Sequence, residues 1–291
     1  MLGVIRRVEV VANLASGSVG PDAPAEIGKI LGEAGLDARV CAPASGDLIK
    51  CLRSAVDADP DLLVILAGDG TARAAAELCG PDGPVIAPLP GGTMNMLPHA
   101  VYGARPWQEA LAMALEQGEE TMIGGGEVEG HRFLVAAILG SPALWAPARE
   151  AMRGGRGRLA ILRARRALGR AFSGRLRYTL DGGSREKAES ITLMCPLTSK
   201  AVGSEVQALE AAAINVRGAG ETLRLGFHAL LGKWRDDPAV NVELCQVARV
   251  WAAQGIPALL DGEVVKLEAL TEVRYVPNIV RVLALPKEAR G

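Results

Sequence analysis

Little in this sequence is aromatic: three Phe, three Tyr and four Trp in 291 residues. The chain is nevertheless 49% hydrophobic, mostly through Ala, Leu, Val and Gly. That mix suits parallel strands, short and apolar, covered by Ala-rich helices. Net charge is also nearly absent, at −1, so nothing draws the whole molecule toward nucleic acid. No uncharged apolar run approaches the roughly eighteen residues of a membrane span, so any contact with lipid is expected to be peripheral. Arg6 and Arg7 precede an apolar run too short for a secretory signal, and a cytoplasmic protein is expected. The five cysteines (Cys41, Cys51, Cys79, Cys195, Cys245) form no CxxC pair and no cluster with histidine. A structural zinc site is therefore not expected, and free thiols are. His99, His131 and His228 are scattered, which makes histidine a poor candidate for acid–base chemistry.

What is present is rhythm. At 291 residues the chain is long enough for two domains. In its first third, apolar runs at Val8–Ala12, Ala38–Cys41, Leu62–Ala67 and Val85–Leu89 read as strands. Helical patterns at Pro24–Ala34, Asp47–Val56, Ala72–Leu78 and Trp107–Gln117 alternate with them. This alternation predicts a parallel α/β sheet over residues 1–122, with ligands at the carboxyl ends of its strands. From residue 123 the pattern changes. Gly124–Gly126, Asp181–Gly183 and Asp261–Gly262 separate runs at Phe133–Leu139, Arg175–Leu180, Ile191–Met194, Glu243–Val250 and Val264–Leu267. Antiparallel hairpins forming a mainly β sandwich are expected over 123–291.

Small-residue loops follow three of the first strands: Asn13-Leu14-Ala15-Ser16-Gly17, Gly68-Asp69-Gly70-Thr71 and Gly91-Gly92-Thr93-Met94-Asn95. Glycine lets backbone N–H groups come close to a ligand, and a helix starting just behind adds a positive dipole end. Phosphate suits such a place, with Ser16, Thr71 and Thr93 as hydroxyl donors. Taken singly, each loop also reads as a tight strand-to-helix turn. The familiar nucleotide signatures are missing: there is no GxxxxGK[ST], and Arg73 stands where GxGxxG needs its third glycine.

Gly68–Thr71 as GDGT, Asn13-x-x-Ser16-Gly17 upstream and Gly92-Thr93-x-Asn95 downstream resemble the diacylglycerol kinase catalytic-domain family, which includes diacylglycerol, sphingosine and ceramide kinases. Gly126-Glu127-Val128-Glu129-Gly130, with Phe133 and Gly140, resembles that family's domain-crossing hairpin, and Leu260-Asp261-Gly262-Glu263 its late DGE motif. The resemblance implies an NAD kinase/diacylglycerol kinase-like N-terminal domain that holds ATP with Mg2+. It also implies a C-terminal β domain that holds the lipid, transfer in the cleft between them, and a last strand (Val280–Leu285) that returns to the first domain. Gly68, Asp69, Gly70, Thr71, Gly92, Thr93 and Asn95, with Asn13 and Ser16, are then the nucleotide-side residues. Asp261 is the implied base for the lipid hydroxyl and Glu263 its electrostatic or metal partner. Asp69, Asp261 and Glu263 are the candidate metal ligands. Ala67, Arg73-Ala74 and Met96 depart from the family pattern, which has a second glycine, an Asn-Glu pair and an aspartate at those places.

Spacing alone reads Asp261-Gly262 differently. Asp-Gly between apolar pairs is a hairpin-turn signal, whereas on a strand Asp261 and Glu263 would share one face. Both readings stand at this point. Ala151–Leu180 holds nine arginines and no acid. If Arg158–Phe172 is helical, Arg163, Arg166 and Arg170 share one face, which suits either an anionic membrane surface or solvent. The expectation is an ATP-dependent lipid kinase peripherally bound to the inner face of the membrane, with ceramide or diacylglycerol as acceptor. An NAD kinase-like enzyme and a catalytically silent lipid or nucleotide binder are the alternatives.

Overall fold

The computed structural model describes residues 5–17, 19–43, 47–140, 176–199, 206–215 and 234–290. The arginine-rich segment with Arg163, Arg166 and Arg170 lies outside them, as does His228. The chain divides into two compact units, residues 1–124 with 277–291, and residues 125–276.

The first unit alternates strand and helix: β1 (Arg7–Ala12), α1 (Ala23–Glu33), β2 (Asp37–Cys41), α2 (Leu48–Asp57), β3 (Leu62–Ala67), α3 (Asp69–Cys79), β4 (Val85–Pro90), α4 (Met96–Tyr102) and α5 (Trp107–Gln117). Its strands run parallel in the order β2-β1-β3-β4, and Val282 of the last strand pairs parallel with Ile86 of β4. Every residue of β3 is buried, as a central strand covered on both faces requires. In α1 the buried Ile27 and Leu31 face the sheet, and the helix gives way to Gly35 at φ +75°. Two helix expectations need correction. GDGT is not a loop before α3 but its first turn, with Gly68 as N-cap. Helix α4, with Pro98 in its first turn, was not expected at all. The free-thiol expectation is also corrected, because Cys41 and Cys51 form a disulfide with Cα atoms 6.4 Å apart. It joins the end of β2 to the buried face of α2, a neighbourhood that a sequence separation of 10 does not announce. Cys79, Cys195 and Cys245 are free and buried.

Two strands, β5 (Glu119–Val128) and the final β16 (Leu270–Ala284), carry the chain from one unit into the other. In between, the second unit contains β6 (His131–Phe133), β7 (Ala136–Gly140), β8 (Leu176–Leu180), β9 (Glu186–Ala188), β10 (Ser190–Met194), β11 (Leu209–Ile214), β12 (Val240–Cys245), β13 (Val247–Trp251), β14 (Ile256–Leu260) and β15 (Glu263–Leu267). One antiparallel sheet runs β12-β11-β10-β7-β14-β15, and another layer runs β16-β13-β8-β9. Alternate residues from both, among them Leu139, Leu193, Ala211, Tyr178, Val250 and Val273, share one core. The expected sandwich is there. Two expected single strands are interrupted: Phe133–Leu139 breaks at Leu134-Val135, and Glu243–Val250 breaks at Gln246.

Candidate active site

Three turns in the second unit have the same shape. Glu129-Gly130, Asp181-Gly182 and Asp261-Gly262 all place both residues at positive φ, the twist that two-residue hairpins prefer. In each, the acidic side chain accepts backbone N–H groups from a neighbouring segment. Glu129 accepts from Glu268 at 2.9 Å, and Asp181 from Gln246 and Val247 at 3.0 and 2.8 Å. Asp261 accepts three: Leu134 at 2.7 Å on Oδ2, with Val135 and Ala136 at 2.9 Å on Oδ1. These aspartates explain the strand breaks. Amides that leave a ladder when buried need another acceptor, and a carboxylate has enough lone pairs for several. On the other side of the same break, Val135 C=O accepts from the Cys195 amide and the Thr198 hydroxyl. Burial, with the Asp261 charge second, holds the Cys195 thiol well above its ordinary range, so it stays neutral.

Asp261 therefore occupies the first turn position of the β14–β15 hairpin, and Glu263 is the exposed first residue of β15, paired with Leu260. The expectation that pleating alone puts the two carboxylates on one strand face does not hold, because Asp261 is not on a strand. The turn reading describes the backbone. In β5, Gly126 is required by contact, since a Cβ there would lie inside the Phe133 ring.

In the first unit the three loops meet at the carboxyl ends of β1, β3 and β4. A Cβ on Gly92 would lie 2.6 Å from Gly68 Cα, and one on Gly68 would lie 3.8 Å from Ser16 Oγ. One on Gly17 would lie 3.6 Å from Thr93 Oγ1, and one on Gly91 2.7 Å from Ala67 N. The glycines thus let GDGT and GGT pack backbone against backbone. Asn95, at φ +49°, closes its loop locally: its Oδ1 accepts Gly92 N–H at 2.7 Å and its Nδ2 donates to Gly92 C=O at 3.1 Å. Asp69 ties the two loops together, accepting Met96 N–H at 3.2 Å and Leu97 N–H at 3.0 Å. That is the start of α4. Asn13 makes a turn of its own, its Oδ1 accepting Ala15 N–H at 3.1 Å. The first intrahelical bonds of α3 run from Thr71 and Ala72 to Gly68 C=O. The amides of Asp69 and Gly70 thus precede the helix's own bonding and stand at its positive end. Nine nucleotide-side candidates are gathered at one sheet edge, and the Ser16 and Thr93 hydroxyls flank the glycine contact.

The departures from the family pattern have visible settings. Arg73 pairs with Glu77 one turn on at 2.8 Å, and Met96 is exposed. Leu14 and Met94, on the same loops, are exposed too. Among the described residues no cluster of three or more His, Cys, Asp or Glu side chains is placed to hold a metal ion. An open cavity of about 380 Å³ lies at the opposite, amino-terminal ends of the strands, lined by Arg7, Asp61, Glu120 and Arg281 among others. That is the wrong edge for a ligand of a parallel α/β sheet. No helix among the described residues is long and apolar enough to cross a membrane.

A parallel sheet with three small-residue loops at its carboxyl edge is joined in one chain to a β sandwich. Residues 7–125 match the diacylglycerol kinase catalytic domain. The chain's structure is similar to that of a diacylglycerol kinase from Bacillus anthracis str. Sterne, with TM-score 0.70 and 14% identity over 98% of each chain. It is also similar to yeast NADH kinase complexed with NADH, with TM-score 0.55 and 11% identity over 98% of this chain and 85% of that one. No curated protein matches the sequence. A diacylglycerol kinase-like catalytic domain over residues 7–125 implies a phosphotransferase, as the GDGT and GT-x-N motifs do.

Proposed function

We propose that this protein is an ATP-dependent lipid kinase, which transfers the γ-phosphoryl group to a hydroxyl of a membrane lipid, ceramide or diacylglycerol. The observation that carries the reading is the meeting of the Asn13–Gly17, Gly68–Thr71 and Gly91–Asn95 loops at one sheet edge. The amides of Asp69 and Gly70 and the hydroxyls of Ser16, Thr71 and Thr93 bind and orient the triphosphate. Mg2+ would offset phosphate charge, with Asp69, Asp261 or Glu263 as the carboxylates that would help to hold it beside the triphosphate. Transfer breaks the bond from γ-phosphorus to the ADP oxygen and forms one to the lipid oxygen. The hydroxyl proton leaves late to a carboxylate, and the Asp261–Glu263 pair of the DGE motif takes that part. Exposed Leu14 and Met94 on the phosphate-side loops, with Met96 at the start of α4, suit an apolar acceptor better than a soluble nucleoside.

The test is a panel assay with labelled ATP and diacylglycerol, ceramide, sphingosine or NAD in mixed micelles. Phosphorylated diacylglycerol or ceramide is expected. Label in NAD alone supports the NAD kinase-like reading. Nucleotide binding without transfer to any acceptor supports the silent binder, the reading that the Arg73–Glu77 pair and Met96 favour.

A further inference from the structure

In the second unit, the β16-β13-β8-β9 layer buries alternate side chains in the sandwich and turns the others outward. Register places Arg274 opposite Val247, Glu272 opposite Arg249, and Arg249 opposite Thr179. Leu270 lies opposite Trp251, Trp251 opposite Arg177, and Arg177 opposite Lys187. Thr271, Val273, Ala248, Val250, Leu176, Tyr178 and Ala188 are the buried alternates, so the outward set is one continuous face. Arg185 joins it, its guanidinium 4.9 Å from the centre of the Trp251 ring. Glu272, which bonds both Arg249 and Arg274 at 2.6 and 2.5 Å, is the one acid that register puts there. These two arginines hold its carboxyl below the usual range.

The face thus carries Arg177, Arg185, Lys187, Arg249 and Arg274 against one glutamate, in a chain whose net charge is −1. The side chains of Arg249 and Arg274 are 58% and 67% exposed, and Leu270 is 59% exposed. Trp251 and Leu270 sit side by side at one end of the basic field. Cations spread over one sheet face, with a half-buried indole and an open leucine beside them, match the two layers of an anionic bilayer surface: charged headgroups, then the apolar boundary.

We propose that this outer sheet face is a docking surface for anionic lipid headgroups. Arg177, Lys187 and Arg274 supply electrostatic attraction, and Trp251 with Leu270 enters the interface. The surface is made of other residues than the Arg163, Arg166 and Arg170 set of the sequence. It does not depend on the kinase reading, because binding is measured without turnover.

The experiment is co-sedimentation of the full chain with vesicles of phosphatidylcholine alone, or of phosphatidylcholine with an equal amount of phosphatidylglycerol. The wild type is expected to bind the second and not the first, and to be released as salt rises. An Arg177→Gln, Lys187→Gln, Arg274→Gln variant should bind about a hundredfold more weakly, about fivefold for each lost charge. Trp251→Ala with Leu270→Ala should weaken binding while leaving its salt sensitivity unchanged. Equal binding by wild type and the triple variant overturns the proposal, as does equal binding to both vesicle types. Duplex DNA bound at lower concentrations than anionic vesicles overturns it too, in favour of a nucleic-acid surface. Transfer to a soluble short-chain acceptor, which should be the same in the triple variant and the wild type, reads the kinase separately.

Discussion

Asp69 in the first unit and Asp261 in the second are the carboxylates of the GDGT and DGE motifs, and both accept backbone N–H groups from a distant segment. Their settings differ. Asp69 lies in the first turn of an eleven-residue helix, and its two oxygens take one amide each. Asp261 sits at φ +46° in a two-residue turn and takes three amides, two on one oxygen. Asp181 provides an internal reference, an Asp-Gly turn of the same shape whose Oδ1 alone reaches both of its amides. A motif carboxylate in this protein is therefore a structural clamp first, and any chemical role is added to that. The comparison also teaches that the clamps are unequal. Asp261 holds buried amides at a strand interruption, and Asp69 holds the half-exposed start of a short helix.

The largest effect expected from breaking this comparison comes from Asp261→Ala. It leaves the N–H groups of Leu134, Val135 and Ala136 without their acceptor, two of them in buried residues. Unfolding free energy should fall by about 4 kcal/mol, read as a lower urea midpoint. Gly92→Val comes next. Its Cβ would sit 2.6 Å from Gly68 Cα, so GDGT and GGT must part, at about 2–3 kcal/mol. ATP affinity measured by calorimetry should drop more than tenfold. Gly17→Ala, which meets only the ordinary 3.6 Å contact with Thr93 Oγ1, should leave that affinity nearly unchanged.

Asp261→Asn sharpens the comparison further. One orientation of the amide keeps its oxygen on Val135 and Ala136 but turns an NH2 toward Leu134 N–H, at about 1–2 kcal/mol. If the carboxylate also takes the lipid proton, single-turnover transfer should fall by about a hundredfold or more, while amide exchange at Val135 and Ala136 stays slow. A turnover loss no larger than the loss of folded protein removes Asp261 from the proton step. Asp69→Ala unties the start of α4 and should cost about 1 kcal/mol, the worth of a helix cap, with weaker ATP binding. The smallest effect is expected for Asp181→Asn, whose oxygen can keep both amides, within about 0.5 kcal/mol of wild type. A destabilisation equal to that of Asp261→Asn would show that the two turns are the same device.

Much of this arrangement was legible in the chain. Apolar runs and helical periods placed β1 to β4 and the helices α1, α2, α3 and α5 to within a few residues, because each depends on a local pattern. The turn at Asp261-Gly262 was legible as well, because few residue pairs accept two positive φ angles in succession. The interruptions at Leu134-Val135 and Gln246 were not, since Phe133–Leu139 and Glu243–Val250 each read as one unbroken strand run. Helix α4 was missed for a related reason. Met96–Tyr102 is short, contains Pro98, and lacks a local cap; the acceptor for its first amides is Asp69, which stands 27 residues upstream of Met96. The Cys41–Cys51 disulfide likewise depends on α2 packing beside β2, and cysteine spacing says nothing of that.

The sequence by itself thus determined what short-range physics decides: the periods of 2 and 3.6, the positive-φ turns, and the glycine-rich loops behind β1, β3 and β4. The tertiary structure alone decided which groups those elements present to one another. Asp261 meets Ala136 across 125 residues, and Glu129 meets Glu268 across 139. Such partners are selected when buried amides that have left a ladder need an acceptor. Which carboxylate is near enough to serve depends on how the strands are stacked, and no local pattern carries that information.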